Sequence, residues 1–473
     1  MIILPNITQT LEDNFEFYRT LSENYKYQVN SLITNIIQGF NKHKFIERTE
    51  HFGSYSFWSK DLMKRFNENG MTYTKVIPHF FDIVDNVYDK KKKITKKYKL
   101  KDSVVDCLIE NLKTTDTIIM NSDTKKKIHQ LPKNSIRKTY TDKKSGVIKR
   151  CISNMRINTW VKGNEELIDR YISELEQNRD NVNIFIKPRI DKFLLELCSL
   201  KSLLNNNLKK GYIPQIYKES TSGRLTGKGF HLLNIKKKLR FIFFGEMGLY
   251  DYDMSNCHYS LFSNLSRLNG YKTDRIDYYL NNKSEIRQML SDDLELSLKQ
   301  VKDGLISLIY GCSIIRGNIS TTCSLYDKFK SLVVLKEFSE HKVIKGLISD
   351  IKHGTKIVTN NIDVTKKNRY GVRIKNVIGS SMNLYNDKGR LIQGWDRKLL
   401  SHILTGWEVK IMEFINSIID DKMISLSYDG WVGEEIDTDY IERRISEEFN
   451  FDIKITTELI VPPTLSDLGI NTH

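Results

Sequence analysis

The chain has 473 residues, of which 40% are hydrophobic and 28% charged, a balance that suits a folded globular protein and excludes a disordered one. Its 74 basic residues against 58 acidic ones give a formal net charge of +16, which favours a polyanionic partner through counterion release. No apolar stretch approaches bilayer length and Met1 to Asn14 lacks the regions of a signal peptide, so no membrane partner is expected and the location is predicted to be cytoplasmic, or the host-cell interior for a viral protein.

Residues 1–185 read as a mainly helical, basic N-terminal region, with helical apolar periodicity from Leu11 to Phe40. Two basic runs lie in it, one from Lys90 to Lys101 and a looser one from Lys125 to Arg150 with Tyr140 interleaved. Such runs are solvated faces or phosphate contacts. A helix is predicted from Asp191 to Leu208, ending near Lys210-Gly211, and Pro214 begins a loop. Phe241 to Tyr252 reads as a strand, followed by helices through Leu298 and a regular helix from about Asp292 to Tyr310. Beyond a polar, basic stretch from Lys352 to Lys388 come a helix (Trp395 to Ile418), a hairpin (Met423 to Val432), another helix and a strand (Asp452 to Ile460). This alternation predicts an α+β fold. The cysteines (Cys107, Cys151, Cys198, Cys257, Cys312 and Cys323) show no C-x-x-C spacing, so neither a zinc ribbon nor a redox motif is expected.

Two carboxylate segments carry the chemistry. In Gly248-Leu-Tyr-Asp-Tyr-Asp-Met-Ser-Asn256 a strand runs into a polar turn, and Asp251 and Asp253 share one face because strand side chains alternate. A carboxylate at a strand end beside a helix start is well placed to ligate a hard cation such as magnesium. In Ile424-Ser-Leu-Ser-Tyr-Asp-Gly-Trp-Val432 alternation is followed by Asp429-Gly430, a hairpin turn signal. Such a pair, brought together, could bridge two metal ions for phosphoryl transfer.

Four segments in order resemble the family A DNA polymerases and the related phage-type single-subunit RNA polymerases, over roughly residue 200 to the C-terminus. Thr221-Ser-Gly-Arg-Leu225 with His231-Leu-Leu-Asn-Ile235 is similar to the family's T-G-R-L and N-L-Q-N-I-P elements, departing at Leu233 and Lys236. Asp253-Met-Ser-Asn-Cys-His-Tyr-Ser-Leu-Phe-Ser-Asn-Leu-Ser266 resembles motif A, D-Y-S-Q-I-E-L-R-x-x-A-x-L-S, and sets the register on Asp253 rather than Asp251. His258 stands where the family has the glutamate that excludes a ribose 2′-hydroxyl. Lys302-Asp-Gly-Leu-Ile-Ser-Leu-Ile-Tyr-Gly311 is similar to motif B, and Lys302, Ile306 and Tyr310 share one helix face. The family's upstream arginine falls on Leu298, with Lys299 adjacent as a substitute. Ser427-Tyr-Asp-Gly430 occupies the place of motif C, with Tyr428 and Gly430 as departures.

The resemblance implies a right-hand polymerase fold: thumb and its connection at 186–240, palm with motif A at 241–291, fingers with motif B at 292–390, and the second palm part with motif C at 391–473. It implies a primer-extending DNA polymerase in which Asp253 and Asp429 hold two Mg2+ ions (Mn2+ as a substitute), with the Met254 carbonyl a further ligand. Lys302 is then catalytic, Tyr310, His258, Ile306 and Lys299 meet the nucleoside triphosphate, and Arg224, Asn234, Arg397, Ser401 and Thr405 meet the primer–template. An RNA polymerase or primase-like enzyme is the alternative, and an inactive nucleic-acid-binding relative a second. The chain is expected to act as a monomer, in a phage, virus or mobile element, with a replication or mobile-element partner at the N-terminal region.

Overall fold

The computed structural model describes residues 6–37, 46–48, 54–57, 73–85, 97–114, 140–141, 148–149, 159–182, 186–206, 208–220, 222–227, 231–317, 319–360, 373–386 and 389–470. It is a mixed helix-and-sheet fold. Among the described residues no helix is long and apolar enough to cross a membrane.

One four-stranded antiparallel sheet organises the C-terminal half. Its strands are β1 (Tyr250–Met254), β2 (Met423–Ser427), β3 (Gly430–Gly433) and β4 (Ile455–Leu459), in the spatial order β2-β3-β1-β4. The sheet therefore pairs segments far apart in sequence, with Asp253 opposite both Gly430 and Thr456. Around it run helices α1 (Cys257–Leu268), α2 (Lys283–Asp293), α3 (Leu298–Ile309), α4 (Lys342–Asn360) and α5 (Trp395–Ile419). Their buried faces meet in a core that includes Phe262, Leu305, Phe338, Leu347, Ile411 and Trp431.

A second core joins the N-terminal helices to the segment before β1. It runs from Leu11 through Val104 and Leu194 to Phe244, and takes in Leu468 and Ile470 near the C-terminus. The helix Lys187–Leu204 packs on both Asp102–Thr114 and Glu165–Arg179, so this core is continuous across the limit at 185/186 expected from the sequence.

Several local expectations are corrected. Phe241 to Tyr252 is not one strand: Lys237–Phe244 is a helix, and β1 starts only at Tyr250. Its polar residues Lys237, Lys238 and Arg240 fall in the first half, while Phe241, Ile242, Phe243 and Phe244 are all buried, and this unbroken aromatic run imitates a strand. The helix expected from about Asp292 begins at Leu298, because Ser297 and Gln300 form a capping box and Glu295 lies in the left-handed region at φ 49°. The start of the polar stretch, Lys352 to Asn360, belongs to α4, whose narrow apolar stripe (Ile344, Leu347, Ile351, Val358) is buried. Pro214 does not open a loop; it sits in a strand opposite Trp160, in a two-stranded pair where a missing N–H is tolerated.

The N-terminal region also holds a four-stranded sheet that the sequence did not announce, built from Ile46–Arg48, Ser54–Phe57, Phe81–Asp85 and Lys97–Leu100. Strands this short carry too little alternation to read. The first basic run enters it at Lys97, while its residues 90–96 lie outside the described residues, as does most of the run from Lys125 to Arg150.

Candidate active site

The β1–β3 pairing brings the two sequence-predicted aspartates together. The Met254 N–H donates to the Asp429 carbonyl at 2.8 Å, and the Thr456 hydroxyl donates to the Asp253 carbonyl at 3.1 Å. Beneath them Tyr252 and Trp431 are buried and stacked with centroids 4.9 Å apart. Gly430 explains itself here: a Cβ at that position would sit 2.2 Å from the Tyr252 carbonyl oxygen. Only glycine lets the residue after Asp429 lie this close to β1.

Asp251 faces a different neighbourhood. Its carboxylate lies 3.4 Å from Lys237 and 3.8 Å from Arg240. Asp253 and Asp429, among the described residues, have no cation within ion-pair distance. They open onto a cleft of about 450 Å³ whose walls also carry Met254, Lys302, Ile306 and Tyr310. Arg224 and His258 reach the same cleft, as do Lys283 and Arg287 from α2. Leu298 and Lys299 are exposed at the start of α3 and do not line it.

The electrostatics follow from that arrangement. The Asp253 carboxyl is pushed from its ordinary 3.8 up to about 7, first by the cleft walls that strip it of water and then by the charges of Asp429 and Asp251, with Lys302 opposing. Asp429 is raised in the same direction, by burial and by Glu408. Two hard carboxylates that repel each other and lack a cation suit a divalent ion with oxygen ligands. Asp253, Asp429 and Met254 all line the cleft.

The shift has a measurable sign. Between the unfolded value of about 4 and the folded value of about 7, the folded chain holds a proton that the unfolded chain has lost. The stability this group contributes is therefore full below about pH 4 and is lost as pH rises through about 7. In chelator, the melting temperature of the wild type relative to Asp253→Asn falls between pH 5 and pH 8, and Mg2+ restores more of it at pH 8 than at pH 5. Equal Mg2+ effects at both values would contradict this.

Glu408 joins the site without a counterpart among the expectations from the sequence. It lies on α5, wholly buried, and accepts from Arg224 Nε at 2.7 Å; its second oxygen contacts both another Arg224 nitrogen and His258 Nε2, the latter at 2.8 Å. Burial alone would push its carboxyl up, but the His258 hydrogen bond and the Arg224 charge outweigh this and leave it below the usual range. His258 in turn lies 5.1 Å from Tyr310, centroid to centroid, and the Arg224 guanidinium lies 4.9 Å over the Tyr428 ring. Tyr428 thus serves as a platform for Arg224. The signal was available: Glu408 falls three residues after Thr405, on the helix face that carries Arg397, Ser401 and Thr405.

Cys257, His258 and Glu408 place their donor atoms within 4.8 Å of one another. Arg224 already supplies the positive charge to Glu408, and burial holds the Cys257 thiol well above its ordinary range. Within that cluster the hydrogen bonds join Glu408 to Arg224 and His258.

Arg397, Ser401 and Thr405 line a neighbouring cleft of about 480 Å³, which shares Tyr310 with the first. Arg397 also braces the end of α3, donating to the Gly311 carbonyl at 2.6 Å. Gly311 has φ +69°, and a Cβ there would lie 2.3 Å from Arg397 Cδ, which accounts for glycine after Tyr310. Asn234 ends a short 3-10 turn, Leu232–Asn234, and its side chain lies outside the described residues.

No protein-family model matches the chain, and no curated protein matches it. Among solved structures, the chain is similar to the POL domain of Pol1 from M. smegmatis, described in complex with DNA primer-template and dNTP, at 14% identity and a TM-score of 0.40. The match covers 63% of this chain and 66% of that one, so the chain spans just under two thirds of the neighbour's length, and the likeness is a distant one in fold.

Proposed function

We propose that the chain is a template-directed nucleotidyltransferase that extends a primer 3′-hydroxyl and releases pyrophosphate. The observation that carries this is the meeting of Asp253, on β1, and Asp429, in the turn between β2 and β3, with no ion-pair partner among the described residues, in one cleft with Lys302 and Tyr310. Asp253, Asp429 and the Met254 carbonyl are the residues that would hold two Mg2+ ions, with Mn2+ as a substitute. Bound there, such ions lower the pKa of an attacking hydroxyl and neutralise a leaving pyrophosphate oxygen.

The chain's own residues do the rest. Lys302 offers a cation to the triphosphate and a proton to the departing pyrophosphate. Ile306 and Tyr310, on the same face of α3, present an apolar and aromatic surface to the nucleobase. Arg397, Ser401 and Thr405 position the duplex along the second cleft, without reading its sequence. The sheet serves as the palm, α3 and the helices up to α4 as the fingers, and the helices before Ser222 as the thumb.

DNA is the proposed product. His258 is held by Glu408 beside Tyr310, and a ring fixed there crowds a ribose 2′-hydroxyl. The test is primer extension with Mg2+ on DNA and RNA templates, with dNTPs and NTPs side by side. Extension with dNTPs well ahead of NTPs is expected. No metal-dependent incorporation on any template, with either nucleotide type, would sink the proposal.

A further inference from the structure

We propose that the triphosphate tail of the incoming nucleotide is gripped from α2, by Arg287 and Lys283, and not from the start of α3. This rests on reading the cleft as a nucleotidyltransferase site. The resemblance to motif B puts its upstream cation at Leu298 or Lys299, yet Leu298 is 50% exposed and neither residue lines the cleft. Besides Arg224, which is paired with Glu408, three cations line it: Lys302, Lys283 and Arg287.

Lys283 and Arg287 are one helical turn apart and so share a face of α2. Neither has a carboxylate within ion-pair distance among the described residues. Neutral oxygens hold them instead. The Lys283 ammonium donates to Ser255 Oγ at 2.7 Å. Arg287 donates to Asn256 Oδ1 at 2.6 Å and to the Tyr279 hydroxyl at 2.7 and 3.1 Å. Their side chains are thereby oriented while their charge stays uncompensated.

The anchors Ser255 and Asn256 form the turn between β1 and α1, directly after Asp253 and Met254. Asn256 is in the left-handed region at φ 47°, a conformation that an asparagine tolerates best among non-glycine residues and that costs backbone energy. The turn that follows the catalytic strand therefore also fixes the two cations. An oriented guanidinium and two ammonium groups facing two carboxylates across one cleft match a polyphosphate whose other side carries divalent ions.

The test is binding of inorganic tripolyphosphate with Mg2+ to the full chain, followed by calorimetry, beside primer extension. Lys283→Gln and Arg287→Gln each weaken tripolyphosphate binding by about tenfold or more, as loss of a charge-assisted contact does. Both raise KM for the triphosphate while leaving nucleoside monophosphate binding and the melting temperature unchanged. Arg287→Lys recovers part of the affinity, and Lys299→Gln changes nothing. Wild-type binding that survives Lys283→Gln with Arg287→Gln, or that is lost in Lys299→Gln, would overturn the proposal while primer extension by the wild type left the enzyme reading intact. A wild type that neither binds tripolyphosphate nor extends a primer would overturn both.

Discussion

Asp253→Asn and Asp429→Asn each lower magnesium-dependent incorporation by on the order of 1,000-fold or more, since a metal site supplies several kcal/mol of charge stabilisation and each 1.4 kcal/mol is tenfold in rate. An amide offers neither the charge nor the paired lone pairs of a carboxylate. Asp251→Asn is the internal control, and its loss is about tenfold at most because Asp251 is already engaged by Lys237 and Arg240. Folding separates a catalytic role from a structural one. The two aspartates repel each other, so each asparagine variant melts at or above the wild-type temperature at pH 8 in chelator. A loss of activity that tracked a fall in melting temperature would point to a structural role instead.

Removing Glu408 has the largest effect on stability. Glu408→Ala leaves Arg224 and His258 facing a buried void, and breaking such a pair costs about 3 kcal/mol, the lower end of the usual range because Arg224 keeps some solvent contact. Denaturant unfolding reads that loss as a lower midpoint. The same substitution frees His258 from the position beside Tyr310, so ribonucleotide incorporation rises relative to deoxyribonucleotide. Glu408→Gln keeps the shape and one acceptor and falls between wild type and Glu408→Ala in both measurements. Unchanged sugar selectivity in Glu408→Ala, with His258 in place, would show that Glu408 serves stability alone.

The parts of this site that were legible in the sequence are those set by local rules. Alternation around Ile424, Leu426 and Tyr428, with Asp429-Gly430 after it, predicts the hairpin that forms. The spacing of Lys302, Ile306 and Tyr310 predicts one helix face, and all three line one cleft. What stayed hidden was set by tertiary contacts. Glu408 acquires meaning only because α5 crosses behind Arg224 and His258, more than a hundred residues away in sequence. Lys283 and Arg287 look like ordinary surface cations of a helix until the turn at Ser255 and Asn256 is placed against them. The helix Lys237–Phe244 was misread for the converse reason, since burial on several sides erased the periodicity by which a helix is recognised.

Asp253 and Asp429 are proposed to hold together the metal ions of a nucleotidyl transfer site. Anomalous scattering from crystals grown with Mn2+, a primer–template and a non-hydrolysable nucleotide tests it most directly. Manganese peaks are expected within about 2.0 to 2.6 Å of carboxylate oxygens from both Asp253 and Asp429, lost in the double asparagine variant. Manganese bound instead among Cys257, His258 and Glu408, or absent from between the two aspartates while nucleotide is bound, would contradict it.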